Sequence, residues 1–238
     1  MARRKKEKVV EVLRVTPPRF AVMQVTVKNI TGSPLVINAF TKQKEGDMVK
    51  SQEEGQSNSR NKKNRPPKDF DAVYEHSRYF DLNEGWDGAN ADTFRNALIS
   101  AMTLVNFKMT QGRKSVFIIP EGLSEEGINL VRIHGEPRKF KRYVKLPSGK
   151  TDIAIRPRWD QWSVSLKIKF DLDQFKVTDI VNLLNRAGLQ CGVGAGRPGS
   201  KLSAGCGWGM FEIDTSKPVS CSEIKLPTFE IKDLMVAA

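Results

Sequence analysis

Three groups of residues in this chain have the types and spacing to do chemistry: a concentration of glycines, a basic run with interleaved aromatics, and a few histidines and acids. Eight of the eighteen glycines fall between Gly188 and Gly209, and Gly194, Gly196 and Gly199 spell G-x-G-x-x-G. That spacing lets backbone amides approach a pyrophosphate, provided a strand precedes the glycines and a helix follows them. Here the order is reversed. Residues 176–187 place Val177, Ile180, Val181, Leu183, Leu184 and Ala187 at helical spacing, with Gly188 at the C-cap, and Trp208 to Ile213 alternate like a strand. Pro198 would break any helix begun in the loop. A dinucleotide site is therefore set aside. Gly192, Gly194 and Gly196 can still let amides converge on a phosphate or a splayed nucleotide, with Arg197 and Lys201 adding charge. The plainer alternative is a loop whose glycines only let backbones pack closely.

Residues 128–158 carry nine Lys or Arg against Glu136 and Asp152. In this segment Arg132, Arg138, Lys139, Lys141, Arg142 and Lys145 suit a phosphate backbone, while Phe140 and Tyr143 suit stacking on bases. An ordinary solvated ribbon is the competing explanation. Arg156 and Arg158 flank Trp159, which with Trp162 reads as a core anchor. Lys167 and Lys169 on a wet strand face would floor a groove. For catalysis, His134 and His76 are the available acid–base groups, and neither has a visible partner in the sequence. Asp71, Asp81, Asp87 and Asp92 read as caps and turns rather than metal ligands. Cys191, Cys206 and Cys221 lack C-x-x-C spacing, so free thiols are expected, with no metal and no cofactor.

Stable elements must position these groups. The alternation of Ala21, Met23, Val25 and Val27 predicts a strand over residues 20–27, and QWSVSLKIKF predicts another with Trp162, Val164, Leu166, Ile168 and Phe170 inward. A helix is predicted from Asp92 to Phe107, a short buried strand over Lys114 to Ile119, and a protruding pair of strands over 128–158 turning at Pro147-Ser148-Gly149. Residues 1–15 form a basic arm, and 41–69 a flexible insertion too poor in apolar residues to offset its ordering entropy. The remainder, 16–238, reads as one domain. A net charge of +12 favours a polyanionic partner. No apolar run approaches a membrane span or a signal peptide, so no membrane association and a cytoplasmic setting are expected. Without its insertions the order is strand, helix, strand, strand, helix, strand: an α+β, ferredoxin-like antiparallel sheet with two helices, the skeleton of an RNA-recognition domain.

With its glycine-rich loop between last helix and last strand, this order resembles the RAMP superfamily, which includes CRISPR effector backbone subunits. More closely, the chain is similar to a family of small tailed-phage proteins. The resemblance rests on Pro34-Leu35-Val36-Ile37-Asn38, on Arg156-Pro157-Arg158-Trp159-Asp160-Gln161-Trp162, on Ala187-Gly188, on Gly192-Val193-Gly194 with Arg197-Pro198, and on Gly207-Trp208-Gly209-Met210-Phe211. It implies a RAMP-like fold in phage or mobile-element nucleic-acid metabolism or CRISPR-like interference, in the host cytoplasm, with copies arrayed as a homo-oligomer along one strand. The expected function is non-enzymatic binding of single-stranded nucleic acid, RNA or DNA, in a basic groove. The alternatives are a RAMP-type endoribonuclease using His134 or His76, and a protein-binding decoy or adaptor.

Overall fold

The computed structural model describes residues 15–39, 46, 49, 69–145, 151–200 and 206–226. The basic arm, nearly all of the 41–69 insertion, the 147–149 turn and Lys201 lie outside these residues. Among the described residues no helix is long and apolar enough to cross a membrane.

The main sheet is organised by two strands whose apolar residues alternate. Strand β1 (Phe20–Asn29) buries Ala21, Met23, Val25 and Val27. A two-residue strand β2 (Leu35–Val36), helix α1 (Phe70–Glu75), strands β3 (Tyr79–Phe80) and β4 (Asp87–Asn90) and helix α2 (Ala91–Thr103) follow. Then come α3 (Met109–Ser115), β5 (Val116–Ile119), β6 (Gly122–Leu123), β7 (Asn129–His134), β8 (Pro137–Lys145), β9 (Thr151–Trp159) and β10 (Ser163–Asp171). Helix α4 (Val177–Arg186) runs into a π-turn (Ala187–Cys191), and β11 (Phe211–Ile213) and β12 (Ser220–Glu223) complete the fold.

Strand β10 lies antiparallel to β1, with Val164, Leu166, Ile168 and Phe170 opposite Val27, Val25, Met23 and Ala21. Because side chains alternate along a strand, this register puts all eight on one face. All are at most 2% exposed, and each large one contributes on the order of 1.5–3 kcal/mol of burial free energy. Strands β11 and β12 share the outer edge of β1, while β5 and β7 share the outer edge of β10. Strands β4 and β3 extend the sheet beyond β7. The chain is thus α+β, with an antiparallel main sheet.

Helix α2 starts where Asn90 Oδ1 accepts from Asp92 N, and it buries Phe94, Ala97, Leu98, Ala101 and Met102. Helix α4 starts where Asp179 accepts from Lys176 N and buries Ile180, Leu183 and Leu184. Both stripes join the β1–β10 face in one core.

Several elements differ from the sequence reading. Residues 129–134 are not part of the protruding hairpin. Leu130, Val131 and Ile133 are buried in the main sheet between β10 and β4, so the hairpin begins at Pro137. Helices α1 and α3 add to the two expected, and Lys114 and Ser115 belong to α3 rather than to β5. Helix α2 stops at Thr103, short of Phe107. The strand expected over Trp208 to Ile213 covers only Phe211–Ile213, leaving Trp208 in the loop, and a further strand, β12, follows it. Gly188 is not a C-cap: the helix continues as a π-turn, and Gly188 allows a close backbone approach, since a Cβ there would lie 2.0 Å from Phe211 O.

Two substitutions separate core filling from close approach. Leu183→Ala leaves a cavity and lowers unfolding free energy by about 2–5 kcal/mol, and Gly188→Ala forces α4 and β11 apart at about 1–3 kcal/mol. Urea denaturation measures both; an unchanged midpoint for Gly188→Ala would contradict the packing described.

Candidate nucleic-acid interface

A second, three-stranded sheet carries the candidate site. Strand β9 sits between β2 and β8, with Arg138 opposite Arg158 and Phe140 opposite Arg156. The strand repeat divides the hairpin into two faces. On one face Ile155, Pro157 and Trp159 are buried. Lys139 and Lys141 share that face, lying 5.6 Å and 5.4 Å over the rings of Tyr74 and Phe70 on α1, and Lys139 pairs with Asp71. The opposite face carries Arg138, Phe140, Arg142, Arg156 and Arg158.

Trp208 covers this arginine face. Its ring meets Phe140 edge-on at 5.5 Å between centroids, and the Arg142 and Arg158 guanidinium carbons lie 4.8 Å and 5.8 Å from its centroid. Arg158 and Arg138 also lie 5.0 Å and 5.9 Å from the Phe140 centroid. Arg142 donates to Cys206 Sγ at 3.4 Å. Each cation–π contact contributes on the order of 0.5–1 kcal/mol where exposed, and together they fix the planes of the guanidiniums.

The carboxylate on this rim is Asp160, which accepts from Arg138 Nε at 2.5 Å and Arg158 Nε at 2.6 Å. The hydrogen bond from Arg138 and then that from Arg158 hold the Asp160 carboxyl below its ordinary range. A depressed carboxylate contributes stability above its unfolded value and loses it as pH falls through the folded one. Because Asp160 is 46% exposed, solvent screening keeps that contribution small. Arg156 lies deeper. Burial, and then the charge of Arg142, push its guanidinium below the usual arginine value.

The glycine loop reaches this face through Ser33–Val36. Ala195 N donates to Val36 O and Gly209 N to Pro34 O, each at 2.8 Å. Met210 N donates to Ser33 Oγ, which donates to Gly207 O. Trp162 donates its indole N–H to Ser33 O. Several amides of the loop bond within the protein: Gly192 N donates to Ala187 O, Val193 N to Gly209 O and Gly199 N to Cys191 O. The loop also contributes two side chains, Trp208 over the arginine face and Arg197 folded back beside Gly194. Gly196, at φ +82°, leaves room for Trp208, because a Cβ there would lie 2.4 Å from its ring.

Gly194 and Arg197 border a cavity of about 370 Å³ between β2, the start of α2, β9 and the loop. Arg156 lines the same cavity, with Tyr79, Thr93 and Phe94. Arg197 donates to Gly194 O at 2.9 Å.

The structure therefore brings together Arg138, Phe140, Arg142, Arg156, Arg158, Gly192, Gly194, Gly196 and Arg197, and separates the other candidates. Lys139, Lys141 and the exposed Tyr143 lie on the other hairpin face, so Phe140 and Tyr143 cannot form one stacking platform. Lys145 is placed by its backbone alone. Lys167 and Lys169 face the side of the main sheet opposite α2 and α4, Lys169 over Phe117 and Phe20. Lys169 lies six residues along β10 from Ser163, about 20 Å. Arg132 stands on β7, 5.9 Å from the Trp86 centroid, in a shallow cleft it shares with His134 and Glu136. Trp159 and Trp162 are buried, as expected of core anchors. Asp81 accepts from Asn83 N, Glu84 N and Leu123 N as a turn residue, and Asp87 pairs with Arg78. Trp208 and Asp160 were missed. A tryptophan between two glycines, and an acid two residues after Arg158, were the available signals.

Compared with known proteins, the chain matches no family model and no curated protein.

Gly196→Ala is expected to dislodge Trp208 from the arginine face at a cost of about 1–3 kcal/mol. Near-ultraviolet circular dichroism reports the ring's environment; an unaltered tryptophan signal would contradict the contact.

Proposed function

We propose that the protein binds single-stranded nucleic acid, without cleaving it, along the arginine face of the β8–β9 hairpin. The observation that carries this reading is four guanidiniums on one strand face: Arg138, Arg142 and Arg158 are held against Phe140 and Trp208, Asp160 pairs with Arg138 and Arg158, and Arg156 lies deeper beside Arg142. Guanidinium planes stack on unpaired bases and donate to phosphates at the same time. A strand laid across the face meets both kinds of contact. The array is narrower than composition alone suggests, because Lys139 and Lys141 face α1.

The scaffold is, on this proposal, ferredoxin-like and related to the RAMP superfamily. The antiparallel strand order β11–β1–β10–β5 supports it, with α2 between β1 and β5 in the chain and α4 between β10 and β11. Elements β2 to β4 with α1, and β6 to β9, are then insertions, of which β2, β8 and β9 form the sheet that carries the binding face. Tandem copies would line up along one strand, each hairpin reaching its neighbour.

Fluorescent single strands of RNA and DNA, titrated across a salt series, test the reading. The logarithm of affinity should fall linearly with that of salt, with a slope of roughly 0.7 per neutralised phosphate. Arg142→Ala with Arg158→Ala should weaken binding about tenfold or more, since bonds to charged groups contribute about 1.5–3 kcal/mol. Lys139→Ala with Lys141→Ala, on the other face, should change it less than threefold. Asp160→Asn should tighten it and steepen the slope. Affinity indifferent to salt, or equal losses from both double variants, would overturn the assignment. Discrete RNA products that vanish in His134→Ala would replace it with an endoribonuclease.

A further inference from the structure

We propose that the cavity bordered by Arg156 and Arg197 is a pocket for a terminal nucleotide phosphomonoester. On the strand-binding reading, which this deepens, the pocket holds the phosphorylated end of the strand.

Two guanidiniums line one cavity, and no carboxylate stands among its described lining residues. Arg156 is partly withdrawn from water, and among the described residues its charged neighbour is another cation, Arg142. A desolvated cation without a counterion is costly, so the site favours an anion that arrives from outside. A phosphodiester inside a chain carries one negative charge; a phosphomonoester near neutral pH carries nearly two and matches both guanidiniums. Planar guanidinium forks also bind phosphate oxygens in pairs.

Size and wall chemistry point the same way. The cavity, about 370 Å³, lies at the small end of the roughly 300–1,000 Å³ range of ligand pockets. That is more room than a bare phosphate fills. Tyr79 and Phe94 offer apolar wall for a ring, and Thr93 adds a hydroxyl. One nucleotide, phosphate toward the arginines, is the ligand of matching chemistry. The cavity adjoins the arginine face because Arg156 stands opposite Phe140 on the hairpin.

The same phosphomonoester could come from a 5′-phosphorylated strand, a 3′-phosphorylated strand or a free nucleoside monophosphate. Affinities are measured for linear strands with 5′-phosphate, 3′-phosphate or hydroxyl ends, for a circular single strand, and for free AMP and UMP. The wild type is compared with Arg156→Gln and Arg197→Gln. One phosphorylated end should bind about tenfold or more tighter than the hydroxyl-ended strand, and either variant should erase that difference. In the absence of ligand, Arg156→Gln should melt at or above the wild-type temperature, because an uncompensated charge is removed; this keeps loss of binding distinct from loss of fold. If the circular strand binds as tightly as the phosphorylated linear ones, the arginine-face reading stands and the pocket is overturned. If no strand binds but AMP or UMP does, with dependence on Arg156, the pocket stands as a free-nucleotide site and strand binding falls. If neither strands nor nucleotides bind, both fall.

Discussion

The candidate interface depends on the backbone of a short extended segment, Ser33 to Val36, wedged between the hairpin and the glycine loop. Along one edge it pairs with β9, Leu35 opposite Trp159 and Val36 opposite Arg158. Along the other, the carbonyls of Pro34 and Val36 accept from Gly209 and Ala195. Extended chain directs successive carbonyls to opposite sides, so a strand of two residues can bond both neighbours at once. Ser33 adds a hydroxyl that ties Gly207 to Met210, and a carbonyl that caps the Trp162 indole. Net worth per bond is about 0.5–1.5 kcal/mol, yet the geometric effect is larger. The loop cannot move relative to β9 without breaking several bonds together, and that fixes Trp208 over Arg142 and Arg158.

Strand alternation then decides which cations act together. Lysines 139 and 141 and arginines 138 and 142 are interleaved in sequence, and a strand sends them to opposite faces. Burial of Ile155, Pro157 and Trp159 assigns the lysine face to the body of the protein, where α1 offers the rings of Phe70 and Tyr74. The arginine face is left to solvent and to the loop. Arginine is also the residue whose flat, weakly hydrated head tolerates packing against aromatic rings, as the contacts with Phe140 and Trp208 require.

How much of this was legible in the sequence follows the same division between local and non-local signals. Strands β1 and β10 and the apolar stripes of α2 and α4 are read from periodicity, because alternation and 3.6-residue spacing are properties of one segment. The assignment of 129–134 to the main sheet is not. Leu130, Val131 and Ile133 interleaved with Arg132 and His134 look much like any half-buried strand, and only tertiary pairing distinguishes core from hairpin. The π-turn at Ala187–Cys191 was hidden because Gly188 is a standard helix stop, and the reason it does not stop this one is Phe211 packed against it. The composition of the site was therefore visible, whereas its division into faces required α1, which sits beside a stretch too polar to suggest any element.

Depth grades the electrostatics of the arginine face. Arg138, at the rim and 53% exposed, keeps most of its hydration and shares Asp160 with Arg158. Arg156 has lost more water, and among the described residues its charged neighbour is Arg142. Coulomb energies between fixed charges grow as the local dielectric falls, so one negative charge delivered to Arg156 is stabilised more than the same charge at the rim. Salt screens in the opposite order, strongly at the exposed rim and weakly in the cavity. An anion spanning both zones is thus attracted to the rim by a charge that ordinary ionic strength attenuates. It is retained by a deeper one that ionic strength hardly reaches. The position of Arg156 on β9, one strand repeat from Arg158, is what joins these two regimes in a single surface.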